Sequence, residues 1–283
     1  MALYRLTVPP NLTAPTIVAA FDGWIDAGSA STTAATHLAR NGPVVATFEG
    51  DALFDYRSRR PTLEIQDGRL AELTWPEITL RHVPVASRDL FVLAGAEPDF
   101  RWHEFAGAAL EIVERLGVVA WVSLGAIPAA VPHTRPIPII GTASAEGLLM
   151  GGVERGPEGL LRVPAACLSV LEMTVAAAGT KAVGYYAQVP HYVSGPYPAA
   201  ARELLRALGR HIDVEIPTRE LEEEAHAMRT RLDLATSADD TTKSYVARLE
   251  AMADEERLPS GDELISDIER FLRDRGSEGT QRS

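Results

Sequence analysis

The sequence has one cysteine, Cys167, in 283 residues, so it can form no intrachain disulfide and has no cysteine cluster for zinc. Lysine is almost as scarce: only Lys181 and Lys243 occur, and arginine supplies the rest of the positive charge. That skew reads first as compositional bias. Twenty-seven basic against 39 acidic side chains leave a formal charge of −12, which argues against general binding to a nucleic-acid backbone. No run reaches the roughly 20 apolar residues of a membrane span. The opening Met1 to Pro10 lacks the basic and continuously apolar regions of a secretory leader, so the expectation is a cytoplasmic protein. The glycine spacing fits neither the dinucleotide fingerprint nor the phosphate-binding loop, and no cluster has metal-ligand spacing. No cofactor and no metal are expected.

An apolar content of 46% and a charged content of 23% describe an ordinary globular chain, long enough for a large core. Its organising stretch is Ile17 to Ser31. A strand-length apolar run, Thr16 to Phe21, breaks at Asp22-Gly23, passes Trp24 and Asp26, and restarts at Gly28 as a small-residue helix. Strand, tight loop and helix make the first half of a βαβ unit, and ligands gather where such loops leave a sheet. Val44 to Phe48 reads as a second strand and Glu49 to Arg60 as a polar loop. Thr62 to Gln66 and Arg69 to Thr74 flank Asp67-Gly68, a pair suited to a type I′ hairpin. Ile78 to Val83 and Leu90 to Ala94 are further strands. Phe100 to Leu116 has helical spacing, and Gly117 stops it.

Val118 to Leu124 predicts a central strand opening at Gly125 into a long proline-braced loop. Ile139 to Ala143 is a short strand, Gly151-Gly152 and Pro157-Glu158-Gly159 are turns, and Ala165 to Ala178 is a helix. Lys181 to Val189 is a strand ending in Pro190-His191-Tyr192, and Pro198 to Leu208 is a helix. No strand signal follows position 216 or so. The division expected is an α/β domain over 1–215, a helical appendage over 216–275 and a disordered tail over 276–283. A capping box at Ser260 to Glu263 would start the appendage's last helix.

Each candidate group has a chemical and a plainer reading. Asp22 and Asp26 could act as acid/base carboxylates; equally, Asp26 or Ser29 could cap the helix, with Gly23 and Gly28 serving the turn and Trp24 covering it. His133 and Arg135 could hold a carboxylate or phosphate, or Arg135 could pair with a loop aspartate. His191 and Tyr192 lie just past a strand, and three loops on one sheet edge could rim a single cleft with Asp22 and Asp26. Ser123 at a strand end invites a nucleophile reading, but it lacks the Gly-x-Ser-x-Gly elbow and any assignable triad. Cys167 falls on an apolar helix side, as buried filler. Glu172 in the same helix needs a partner, solvent or a shifted pKa.

Three stretches, Phe21 to Gly28, Pro132 to Pro136 with Gly141-Thr142, and Val189 to Val193, occur in an order and spacing that resemble the proteasome assembly chaperone 2 family, in its bacterial branch. The resemblance covers about residues 1 to 215, and the helical C-terminal segment is similar to that of bacterial members. It implies a three-layer α/β/α fold with a mostly parallel central sheet, nucleoside-phosphorylase-like, plus a small all-helical appendage. Eukaryotic members act as chaperones in proteasome ring assembly. Bacterial members are largely uncharacterised and have often been called carboxylate-amine ligases. The family carries no catalytic set, so only the motif positions transfer, as a candidate binding cleft.

Two functions follow. One is a non-catalytic, assembly-chaperone-like protein with a protein partner or self-association, for which a closed homo-oligomer such as a trimer is compatible. The other is a phosphorylase- or hydrolase-type enzyme on a small anionic or nucleoside-like metabolite. There Arg135 would bind the anion, His133 or His191 would move the proton, and Asp22 or Asp26 would orient a hydroxyl. A ligase ranks lower, because no phosphate cradle for ATP is present.

Overall fold

The computed structural model describes residues 2–256, apart from 87, 151, 152, 157 and 158. The Gly151-Gly152 turn, most of the Pro157 turn, the Ser260 capping box and the tail lie outside the described residues. Nine strands form one sheet: β1 (Tyr4–Leu6), β2 (Thr16–Phe21), β3 (Val44–Phe48), β6 (Ile78–Val85), β7 (Arg88–Gly95), β8 (Ala120–Ala129), β9 (Ile139–Ala143), β10 (Glu154–Arg155) and β11 (Lys181–Pro190). A separate hairpin consists of β4 (Thr62–Gln66) and β5 (Arg69–Thr74). The sheet order is β1-β3-β6-β7-β2-β8-β11-β9-β10. Its centre, β7-β2-β8-β11, is parallel, and antiparallel strands flank it on both sides.

The central strands are continuous apolar runs because both faces are covered. All six residues of β2 are buried. Ile17, Ala19 and Phe21 point to one helical layer, and Val18 and Ala20 to the other. Each large aliphatic or aromatic side chain so buried contributes about 1.5–3 kcal/mol. The first layer holds α3 (Trp102–Leu116) and α4 (Cys167–Ala177), through Phe105, Ile112, Leu168 and Leu171. The second holds α1 (Ala30–Ala39) and α5 (Pro198–Ile212), through Ala34, Leu38, Leu204 and Leu208. The result is the expected three-layer α/β/α sandwich. Of two further helices, α6 (Arg219–Ser237) packs on α5, and α7 (Asp240–Glu256) packs on α6.

Two local expectations change. The Glu49 to Arg60 segment contains a helical turn, α2 (Gly50–Leu53), whose Leu53 is fully buried. Strand β8 does not stop at Leu124: its ladder with β11 runs on to Ala129 opposite Pro190. The glycine and proline that read as breakers sit in extended backbone there, and Pro128 comes near the end of the ladder, where a missing N–H costs least. Ser123 is therefore mid-strand.

Candidate functional site

Strands β2, β8 and β11 are adjacent and parallel, so the loops after them leave the same edge of the sheet. That edge is where open α/β sheets place ligands. The candidate residues nevertheless divide into separate groups, each with its own partners.

In the first loop, both oxygens of Asp22 accept from Arg59 Nη1, at 2.9 and 2.8 Å, and Oδ1 also accepts from the Glu97 N–H at 2.9 Å. Glu97 in turn accepts the Cys167 N–H at 2.7 Å, placing a carboxylate at the positive end of α4. Asp22 thus ties the segment before the hairpin to the end of β7. Asp26 is turned the other way. Its Oδ1 accepts the Ser31 N–H and hydroxyl at 2.8 and 2.7 Å, and its Oδ2 accepts the Thr32 hydroxyl. It anchors the start of α1, and Ser29 makes no capping bond. Gly28 lies under Tyr197, whose N–H donates to its carbonyl at 2.7 Å. Trp24 does not cover the turn: it is 63% exposed.

The second and third loops do meet. The His133 side chain is 1% exposed. Its Nδ1 lies 2.7 Å from the Tyr192 hydroxyl and its Nε2 3.1 Å from Asp233 Oδ1 on α6. The Tyr192 oxygen also accepts the His133 backbone N–H at 2.7 Å. A neutral ring fits these bonds in one tautomer: Nε2–H donates to the carboxylate, and Nδ1 accepts the phenol proton. Burial, with Arg229 nearby, holds the imidazole below the usual histidine range, against the pull of Asp233. Arg229 braces the arrangement, donating Nε to Asp233 and Nη1 to the His133 carbonyl.

Arg135 is engaged as well. Its Nε and Nη2 form a two-pronged pair with Asp254 of α7, both at 2.7 Å, and its Nη1 donates to Glu250 at 3.3 Å. These carboxylates raise the guanidinium's pKa further. Thr134 also bonds Glu250. His191 takes the Tyr245 hydroxyl of α7 at 3.2 Å, and the Arg248 guanidinium stands 5.1 Å from the Tyr245 ring centroid. The loops after β8 and β11 are thus covered by the chain's own C-terminal helices, which contribute these polar partners.

The third group lies within the sheet, on its α4 side. The Trp121 indole donates to the Ser123 hydroxyl at 2.9 Å, and Thr142 donates to Glu172 Oε1 at 3.1 Å. Glu172 Oε2 is buried with no partner among the described residues. Burial pushes the Glu172 carboxyl up, and the Ser123 and Thr142 hydroxyls oppose that shift. The Tyr186 ring lies over Gly125 and Gly184, where an added Cβ would come within 2.5 and 2.8 Å of it. Burial and then Glu172 raise its phenol pKa. No histidine bonds Ser123 among the described residues; its neighbours are the Trp121 indole and the Glu172 carboxyl. Cys167 is buried, and burial pushes its thiol pKa up.

The candidate residues therefore fall into separate hydrogen-bonded groups. His133, Arg135, His191 and Tyr192 share one cluster under α6 and α7. Asp22 belongs with Arg59 and Glu97, Asp26 with α1, and Ser123 and Glu172 with the sheet face. A cavity of about 520 Å³ adjoins His133, lined by Arg202, Arg206 and Arg229, but Glu203, Glu222 and Asp233 pair those guanidinium groups. Among the described residues, no group of three histidine, cysteine or acidic side chains is arranged to hold a metal ion. No described helix is long and apolar enough to cross a membrane.

Residues outside the sequence-derived set complete these clusters: Arg59, Glu97, Asp233, Tyr245, Glu250 and Asp254. For the last two a signal existed, since Glu250 and Asp254 stand four apart on one helix face, as a fork-binding pair would. Arg59 offered none.

No curated protein sequence matches this chain. Among solved structures, a Corynebacterium glutamicum protein of unknown function superposes with a TM-score of 0.84 at 31% identity, over 90% of this chain and 97% of that one. A PAC2 family protein from Streptomyces avermitilis is 38% identical, with a TM-score of 0.74 over 82% of this chain and 99% of its own. A proteasome-assembly chaperone homologue of Mycobacterium tuberculosis is 34% identical, with the same TM-score of 0.74 and the same coverages of 82% and 99%. The model of the PAC2 family matches residues 20–235. With its fold and its three loop motifs, this chain belongs to the PAC2 family.

Proposed function

We propose that this chain is a non-catalytic, assembly-chaperone-like protein that works by binding protein, its own copies included, in the cytoplasm. The observation that carries this reading is the engagement of the side chains able to do chemistry. His133 and Arg135 hold α6 and α7, Asp26 holds α1, and Asp22 holds Arg59. A general base needs free reach to a substrate proton, and an anion site needs an unneutralised cation. The kinship with a proteasome-assembly chaperone homologue supports the same reading and names the partner class to test first.

The test is affinity capture of the tagged full-length chain from native extract, with the bound proteins quantified. Proteasome subunits recovered in near-stoichiometric amount are expected, and a chain that returns alone would sink the reading. The enzyme alternative is checked by thermal shift with inorganic phosphate and nucleosides. A stabilisation that Arg135→Gln abolishes would revive it.

A further inference from the structure

The sheet carries a polar group on its α4 face that the assembly-chaperone reading does not use. Ser123 of β8, Gly184 of β11 and Thr142 of β9 stand in one row across three neighbouring strands. Gly184 has no side chain, so nothing within that row fills the space between the two hydroxyls. The Tyr186 side chain folds back over this gap. A Cβ added at Gly184 would lie 2.8 Å from its phenol oxygen and 2.6 Å from Thr142 Oγ1. From α4, Glu172 reaches the same place, and its Oε1 accepts the Thr142 hydroxyl at 3.1 Å. Its other oxygen, Oε2, is buried and has no partner among the described residues. Four oxygen-bearing side chains from four elements thus meet at one point. Ser123 is buried, Glu172 and Tyr186 are half-buried and Thr142 is exposed, so the group opens sideways, toward β9.

A buried carboxylate oxygen without a partner is costly, and either a proton or a ligand that donates to it removes the cost. The surroundings select the ligand. The Ser123 and Thr142 hydroxyls favour the charged form of Glu172, and no guanidinium or ammonium of the chain acts on it. An anion would meet one negative charge here and no positive one. A divalent metal takes several charged ligands, and among the described residues no three histidine, cysteine or acidic side chains are arranged for one. A compact cation with several hydrogens to donate is what fits. A primary ammonium has three N–H donors. Glu172 Oε2, the Tyr186 phenol oxygen and the Ser123 hydroxyl offer three acceptors, since Ser123 Oγ keeps a second lone pair beside the one that the Trp121 indole uses. We propose that this group of oxygens binds the ammonium end of a small primary amine, with Glu172 as its counter-charge.

The experiment is a titration of the full chain with ethylammonium chloride, followed through its backbone amide resonances. A ligand of so few heavy atoms binds no tighter than about millimolar, so saturation is sought in that range. Saturating shifts centred on Ser123, Thr142, Glu172 and Gly184 are expected. Glu172→Gln keeps the shape and removes the charge, so the fold should survive, with melting as the check. It should weaken binding roughly tenfold or more, and Tyr186→Phe should weaken it less. Glu146→Gln, at an exposed acid on the loop after β9, should leave it unchanged. Tetramethylammonium has no N–H, potassium has no hydrogen to donate, and ethanol is the neutral analogue; none of the three should reproduce the shifts. Ethylammonium that gives no saturating shift overturns the proposal. So do equal shifts from any of the other three compounds, or undiminished binding by Glu172→Gln. Because each outcome is read on this chain alone, failure here leaves the assembly-chaperone reading standing, and the reverse also holds.

Discussion

Two regions of this molecule handle exposed chemistry in opposite ways. The loops after β8 and β11 are rich in groups that could bind or react, and α6 and α7 cover them with matched polar partners: Asp233 for His133, Asp254 and Glu250 for Arg135, Tyr245 for His191. The hairpin β4–β5 is rich in aliphatic side chains, and among the described residues nothing covers them. Polar residues are spent internally, and apolar ones are turned outward. That distribution suits the protein-binding role proposed above, since large exposed apolar patches mark interaction surfaces.

The comparison breaks most readily at the covered end. Leu249 is 2% exposed in α7, and Leu249→Ala should cost about 2–5 kcal/mol by cavity formation. Urea denaturation would give the loss, and limited proteolysis should then cut first in α7. Asp233→Ala should cost less, about 1–3 kcal/mol, because it leaves the buried Nε2–H of His133 without an acceptor.

The same latch has a pH dependence with a definite sign. The folded His133 pKa lies below the unfolded value of about 6.5, so the unfolded chain binds the proton first on acidification. Stability is full above that unfolded value and is lost as pH falls from it toward the lower folded value. His211, also held down by burial, acts in the same direction. Denaturation midpoints on either side of that window should therefore fall with acid, and fall less in His133→Gln. The Asp233 carboxyl has a lowered pKa despite burial, held down chiefly by Arg229 and then His133, so its own contribution is lost only at more acidic pH, through its folded value. The smallest effect belongs to the open end. Glu64 and Glu72 sit opposite each other across the hairpin, and Glu64→Lys should stabilise it by about 0.2–1 kcal/mol, seen as slower hydrogen exchange over β4 and β5.

What the sequence disclosed and what it hid follow from the range of each interaction. The Thr16 to Phe21 run, the Asp67-Gly68 turn and the Asp26 anchor were legible because propensity, turn geometry and capping act over a few residues. Positive φ at both Asp67 and Gly68 is what a type I′ turn requires. The aliphatic face of the hairpin was not legible, because a register shift between Glu64 and Ile65 breaks the alternation. Nor were the partners of the candidate groups: Arg59 reaches Asp22 from 37 residues away and Asp233 reaches His133 from 100. No local spacing encodes such pairs. Ser123 was misplaced because Gly125 and Pro128 punctuate most chains but here lie inside a ladder.

Nuclear magnetic resonance of the His133 imidazole nitrogens measures directly whether this ring is a fastened structural group or a working one. A neutral Nε2–H ring that stays neutral below the usual histidine range, unmoved by added phosphate or nucleosides, is the result expected. A ring that titrates at or above the usual value, and shifts when those ligands are added, would contradict it.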